Sequence, residues 1–191
     1  MAVKSLLPGS RGYFAIGVEG VSKSVNLGNL LRSAHAFGAS FVFTIGADPR
    51  AMETRADTSK AASHIPVYHW RSVAEMSLPK SCRLVGLEFM DEASELPSLA
   101  HPTQAAYVLG PERGTLSPAL LAKRHHIVRI PTAFSLNLAT AGAIVMYDRL
   151  RCRGRFASRP VAAAGAAEAR AEHVRGAPRR RGPIAVGAEP A

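Results

Sequence analysis

Residues Tyr107 to Asp148 read YVLGPERGTLSPALLAKRHHIVRIPTAFSLNLATAGAIVMYD, and this stretch decides the fold. Ala105–Leu109 is a short apolar run stopped by Gly110-Pro111, the pattern of a strand that opens into a loop. Ser117-Pro118 supplies an N-cap and a first-turn proline, which predict a helix through Ala119–Lys123. His126–Ile130 is a second apolar strand, closed by Pro131. Ser135 is placed to cap a last helix from Asn137 to about Arg151, whose first part is apolar on almost every side and therefore buried. Two loops, GPERG and PTAFSLN, thus leave the carboxyl ends of two strands. They face a common crevice, where open α/β sheets place ligands.

Outward from that stretch the alternation continues. Gly12–Val18 is a β-type run, Asn26–Phe37 a helix with Leu27, Leu30, Leu31 and Ala34 on one face, and Phe41–Ile45 another buried strand. So short a strand–helix–strand span is a parallel βαβ unit. Gly46–His64 is polar and turn-rich, with a short helix expected near Thr58–Ser63. Val67–Trp70 reads as a strand, Ser72–Met76 as a short helix and Arg83–Phe89 as a strand, before an acidic loop over Asp91–Glu95. The expected architecture is a doubly wound α/β domain over residues 12–158, after an N-terminal extension of residues 1–11. From Arg159 to Ala191 alanine, glycine, proline and arginine dominate, a composition that buries too little surface to offset its ordering entropy. A disordered basic tail is expected there, with at most a weak helix over Ala162–Arg175 and an arginine run at Arg179–Arg181.

The 191-residue chain carries a formal net charge of +10, with Lys+Arg 24 against Asp+Glu 14. Such a balance favours polyanions through phosphate neutralisation and counterion release. No apolar run approaches the roughly 18 residues of a membrane span, and the first residues contain no signal-like apolar segment. Cys82 and Cys152 lie far apart without metal-ligand spacing, so both read as reduced thiols of a cytoplasmic protein. Neither GxGxxG nor GxxxxGK[ST] occurs, which argues against a nicotinamide or P-loop enzyme. The histidines, His125-His126 among them, show no ligand spacing, and no metal is expected.

Three polar clusters remain. Asn26-Leu27-Gly28-Asn29-Leu30-Leu31-Arg32 opens the first helix, Leu109-Gly110-Pro111-Glu112-Arg113-Gly114 follows a strand, and Ser135-Leu136-Asn137-Leu138-Ala139 opens the last helix. Each alone reads as a cap or turn, and Arg32 as one end of a salt bridge to Glu112 or Glu19. Together, in this order and spacing, they resemble the three signature motifs of the SpoU branch of the SPOUT methyltransferases, over Gly12 to about Arg153. The chain is most similar to small members built of the catalytic domain alone, without the N-terminal RNA-binding extension of larger relatives.

The resemblance implies a SPOUT-type α/β fold whose C-terminal segment threads a deep trefoil knot, a feature too rare to be expected on general grounds. It implies a homodimer with sites built from both subunits, and S-adenosylmethionine held by main-chain groups near Leu87, Gly110, Ile130 and Leu138. The implied activity is methyl transfer to a ribose 2′-hydroxyl of RNA, with tRNA and its wobble position favoured over ribosomal RNA on size. In that reading Arg32 clamps a phosphate and orients the hydroxyl, and Asn26 positions ribose or phosphate. Glu112 orients Arg32 or the partner subunit's arginine, while Ser135 and Asn137 hold the third loop and the substrate or cofactor. The competing class is a catalytically silent RNA-binding or ribosome-assembly module. The presence of Arg32, Glu112, Ser135 and Asn137 together argues against it.

Overall fold

The computed structural model describes residues 12–52, 63–154, 156, 159–160 and 162–166. They fall into two compact units, one reaching to residue 155 and one beginning at 156. In the first, seven strands form one parallel sheet in the order β3-β2-β1-β6-β4-β7-β5. These are β1 (Tyr13–Glu19), β2 (Phe41–Ile45), β3 (Val67–Trp70), β4 (Arg83–Leu87), β5 (Ser94–Glu95), β6 (Gln104–Leu109) and β7 (His126–Arg129). The helices are α1 (Ser24–Ala36), α2 (Pro49–Met52), α3 (Pro118–Lys123) and α4 (Leu138–Arg153). The chain reverses direction across the sheet between β1 and β6, so the crevice of the doubly wound fold opens at their carboxyl ends.

Side chains alternate between two cores. Ile16, Val18, Tyr107 and Leu109 join Leu27, Leu30 and Leu31 of α1 and Leu138, Val145 and Met146 of α4 on one face. Ala15, Phe43, Ala106 and Val108 join Leu116 and Leu120 from the α3 side on the other. The central strands are buried on both faces, which is why β1, β2 and β6 read as continuous apolar runs rather than alternating ones. α4 packs closely on α1 because Gly142 has no side chain; a Cβ there would lie 2.5 Å from Leu30 Cδ1.

β2 and β3 have the expected bounds, and β1, β4, β6, β7, α1, α3 and α4 differ from expectation at their ends only. Elsewhere the structure differs. Ser72–Met76 forms a turn rather than a helix: Glu75 Oε2 takes the Arg71 amide at 3.0 Å, and Val73 is drawn into the core. β4 stops at Leu87: the Glu88 amide still reaches Val128 O at 2.9 Å, but the Phe89 amide turns onto the Glu88 carboxylate at 3.0 Å. The acidic loop contributes β5, which pairs in parallel with β7, and leads into a single 3₁₀ turn over Leu96–Ser98. The polar stretch after β2 contains α2, which the sequence reading missed. The helix expected near Thr58–Ser63 lies outside the described residues apart from Ser63, and the arginine run Arg179–Arg181 lies wholly outside them. Of the weak helix expected over Ala162–Arg175, only residues 162–166 are described, and they form a turn closed by Gly165 N–H donating to Ala162 O at 3.1 Å.

Candidate functional site

Loops leaving the carboxyl ends of β4, β6 and β7 enclose one cleft. Leu87, Gly110, Ile130 and Leu138 all line it, together with Glu88, Glu112, Thr132 and Ser135. Glu88 was not singled out from sequence, although its place one residue past a strand end was a usable signal. Its Oε2 accepts the Leu116 amide at 2.8 Å and Oε1 the Phe89 amide at 3.0 Å, which pins the carboxylate across the cleft wall. Gly110 makes room for it, since a Cβ on Gly110 would lie 2.7 Å from Glu88 Oε2.

Beside the cleft, Glu112 is a hub. Its Oε2 accepts from Ser22 N and Ser22 Oγ, both at 3.1 Å, and its Oε1 from Lys23 N at 3.2 Å and Asn26 Nδ2 at 2.9 Å. Local sequence explains the need. α1 begins after Lys23, whose side chain makes no cap hydrogen bond. The first amides of a helix lack internal acceptors and carry a partial positive charge. The Glu112 carboxylate, on the loop after β6, takes the amides of Ser22 and Lys23 just ahead of α1 and the Asn26 side chain in its first turn, placing a negative charge at the helix N-terminus. Neither Asn26 nor Asn29 caps α1; Asn26 lies inside the helix and is only 5% exposed.

Asn26 connects onward. Its Oδ1 accepts from Asn137 Nδ2 at 3.0 Å, while Asn137 Oδ1 accepts the amides of Ala139 and Thr140 at 2.9 and 3.4 Å. Asn137 is therefore the N-cap of α4, not Ser135 as expected. The direction of the chain is fixed by its ends. An ionised carboxylate only accepts and helix amides only donate, so each carboxamide has one consistent orientation. The burial of Glu112 would raise its pKa, but the hydrogen bonds from Asn26 and Ser22, with its own backbone, outweigh that and hold it below the ordinary carboxylate value.

The structure thus brings together Asn26, Glu112 and Asn137, with Ser135 exposed on the adjacent cleft wall. It does not bring Arg32 to them. Arg32 is exposed on α1, in line with Val25 and Asn29, and pairs with no carboxylate among the described residues. Both acids expected to bind it are committed elsewhere: Glu112 to α1, and Glu19 to Ser117, whose N and Oγ donate to it at 2.7 and 2.6 Å.

A second polar group, absent from the sequence reading, lies at the opposite, amino end of the sheet. His101 bonds Tyr107 Oη at 2.6 Å through Nδ1 and Asp148 Oδ2 at 2.8 Å through Nε2. Arg149, 3% exposed, donates to the carbonyls of Pro102, Tyr13 and Thr103 and to Tyr107 Oη. Burial, opposed by the neighbouring Arg149, pushes the Tyr107 pKa up to about 12. With both His101 nitrogens engaged, this network ties α4 to the ends of β1 and β6. Among the described residues no helix is long and apolar enough to cross a membrane.

Solved structures share this fold. An rRNA methyltransferase from Sinorhizobium meliloti superimposes with a TM-score of 0.66 at 24% identity, over 77% of this chain and 58% of that one. It has also been solved with AdoMet bound, at the same TM-score over 76% of this chain. The SpoU methyltransferase AviRb from Streptomyces viridochromogenes gives 0.62 at 22% identity, over 77% of this chain and 62% of that one. A structure described as giving insights into the 2-OH methylation of C/U34 on tRNA gives 0.63 at 23% identity, over 74% and 96%. The chain therefore spans about three fifths of the first two proteins. No curated protein matches it by sequence. The three motifs and the hydrogen-bond chain that joins them lie within residues 13–147, which match the model of the SpoU rRNA methylase family, and the chain belongs to that family.

Proposed function

We propose that this protein is an S-adenosylmethionine-dependent methyltransferase acting on a ribose 2′-hydroxyl of RNA. The observation that carries the reading is the Asn137–Asn26–Glu112 chain, which joins all three motifs beside a cleft at the carboxyl edge of the sheet. S-adenosylmethionine is the cofactor of the family, and when bound it supplies an activated methyl group on a sulfonium. The cleft suits it. Leu87, Leu109, Ile130 and Leu138 offer apolar walls for a base and ribose, and the fixed carboxylates of Glu88 and Glu112 favour a cation.

The chain's own residues divide the remaining work. Glu112, saturated by four hydrogen bonds and easily ionised, is a poor proton acceptor, and it holds the α1 terminus and Asn26 in place. Asn137 fixes the start of α4, which forms one cleft wall. Ser135, with its hydroxyl exposed in the cleft, is placed to meet substrate. Arg32, exposed and without a carboxylate partner, is available to an RNA phosphate or to the site of a second copy. This supports a homodimer in which Arg32 clamps the phosphate beside the target and orients the hydroxyl. The trefoil knot and a cytoplasmic location complete the proposal on the strength of family membership.

The test uses labelled S-adenosylmethionine with separate tRNA and ribosomal RNA pools, followed by alkaline digestion. Label in alkali-resistant dinucleotides from tRNA is the expected result. The same label from ribosomal RNA would move the substrate to the one in the family's name. Labelled mononucleotides would overturn ribose as the target, and an absence of cofactor binding would favour a silent RNA-binding module.

A further inference from the structure

A second cleft lies on the same carboxyl edge, across the switch point from the first. It is lined by Gly20, Ile45, Gly46, Arg71, Val73 and Ala119, among others, so it sits over the ends of β1, β2 and β3. Gly20 of the second cleft lies beside Pro111 of the first: a Cβ on Gly20 would lie 3.3 Å from Cβ of Pro111. The walls of the second cleft are mostly apolar, with Ser72 and the Glu19 carboxylate, itself held by Ser117 N and Oγ, beside them and the Arg71 guanidinium at the rim. That side chain is 92% exposed, and its only ion pair among the described residues is with Glu75 at 3.6 Å. A pair so exposed contributes little and yields readily to a phosphate.

Below Arg71 runs β3, an edge strand of the sheet. Tyr68 and Trp70 stack along it with centroids 6.2 Å apart and planes at 9°, and Tyr68 is 50% exposed. Trp70 is braced from within by Phe43 at 5.3 Å, and Tyr68 by Phe41 at 5.6 Å. A mostly apolar cleft, a cation at its mouth and partly exposed aromatic rings beyond it are the parts of a single-strand binding surface. The net charge of +10 selects a polyanion over an apolar protein segment.

We propose that this second cleft and the Tyr68–Trp70 edge bind the single-stranded RNA flanking the methylated nucleotide. A neighbouring base enters the slot between Val73 and Ala119, its phosphate meets Arg71, and the next base packs on the aromatic edge. The proposal rests on the RNA methyltransferase reading and adds to it the path of the strand, from the first cleft over the Gly20–Pro111 divide.

The test measures binding of a fluorescein-labelled, mixed-sequence single-stranded ribo-oligonucleotide by anisotropy at low salt. Calorimetry of S-adenosylmethionine binding and the thermal midpoint are followed in parallel. Ala119→Trp fills the slot from the exposed face of α3, Arg71→Ala with Tyr68→Ala removes the rim cation and the outer ring, and Ala119→Ser is the control. The expected result is RNA affinity weakened roughly fivefold or more in the first two, wild-type affinity in the control, and unchanged cofactor affinity and midpoint in all. Unchanged RNA affinity in the filled and stripped variants would overturn the subsite and leave the methyltransferase reading standing. Cofactor affinity falling together with RNA affinity would overturn it as well, because the substitutions would then act through the fold. Wild-type protein that binds S-adenosylmethionine but no RNA would overturn both.

Discussion

Asn137 Nδ2 donates to Asn26 Oδ1 at 3.0 Å, joining residues on α4 and α1 that are 111 positions apart in sequence. The same Asn26 donates to Glu112 at 2.9 Å. Two helix N-termini are therefore held by one hydrogen-bond chain that runs in a single direction from the α4 amides to the Glu112 carboxylate. Cofactor cleft and first-motif helix are coupled through it, since moving any one member leaves a donor or acceptor of the next unpaired.

Asn26→Asp tests the direction of that chain. The substitution replaces the donor facing Glu112 with a second carboxylate, and two carboxylates in hydrogen-bond contact cannot both ionise without strong repulsion. The expected outcome is a loss of about 2 kcal/mol or more at neutral pH, since a buried hydrogen bond to a charged group is removed and repulsion is added. Part of it should return on acidification to about pH 5, where one carboxyl of a repelling pair takes a proton. Urea melts at both pH values check this; equal loss at both would show that the pair does not share a proton.

Asn137→Ala removes both the α4 N-cap and the link to Asn26. Cap loss alone costs about 1 kcal/mol, and the unpaired Asn26 carbonyl adds to it. Because Leu138 and Ala141 of α4 line the cleft, S-adenosylmethionine affinity should fall together with stability. Calorimetric titration separates the two: a destabilised variant with wild-type affinity would remove Asn137 from the site and leave it a cap.

Much of this was legible beforehand, and what was not has a physical reason. The strands were readable because a parallel sheet buried on both faces writes uninterrupted apolar runs such as FVFTI. α3 was readable because Ser117 caps it locally, accepting the Leu120 amide at 3.2 Å. The start of α1 was not, because its anion comes from Glu112, about 90 residues away, and a propensity argument sees only neighbours. For the same reason Asn26, Glu112 and Asn137 could be selected as site candidates while their hydrogen-bond partners could not. A guanidinium among alanines and leucines suggests an acidic partner for Arg32, Glu112 or Glu19, whereas both acids are consumed by amides and hydroxyls of other loops. His101, Asp148 and Arg149 carried no motif, and their roles follow only from the meeting of α4 with the amino ends of β1 and β6.

That buried network makes stability depend on pH. Burial pushes the His101 pKa below its ordinary value of 6.5, against the Asp148 hydrogen bond that would raise it, with Arg149 and Arg153 nearby also lowering it. The folded protein therefore keeps His101 neutral at a pH where the unfolded chain takes up a proton. The resulting stability is present above about pH 6.5 and is lost as pH falls below it. Glu112 adds a second loss at lower pH, since its depressed pKa makes folding weaker as pH drops through the folded value. Urea unfolding between pH 8 and 5 should show the first decline, and His101→Gln should flatten it; an undiminished slope in that variant would assign the decline to other groups.

Arg149→Met probes the same network without altering the cleft. The guanidinium serves three carbonyls and the Tyr107 hydroxyl inside the protein. Its removal strands several buried acceptors, each costing about 1–3 kcal/mol. A loss of about 3 kcal/mol or more is expected in thermal or urea melts. Stability within 1 kcal/mol of wild type, about the cost of one hydrogen bond, would show that water takes over these carbonyls.

Arg32→Ala is the variant on which the proposed chemistry turns. Arg32 is exposed and pairs with no described carboxylate, so truncation should change stability by no more than about 0.5 kcal/mol. Alanine also favours the helix interior. S-adenosylmethionine affinity should be unchanged, because Arg32 does not line the cleft. Methyl transfer to RNA, by contrast, should fall to background, since the exposed neighbours of Arg32 on α1, Val25 and Asn29, carry no charge with which to clamp a phosphate. Arg32→Lys restores charge without the planar fork and should recover only a small part of the rate. Single-turnover assays with labelled cofactor measure this directly. Full activity in Arg32→Ala would sink the mechanism, and full rescue by lysine would reduce Arg32 to a general electrostatic contact.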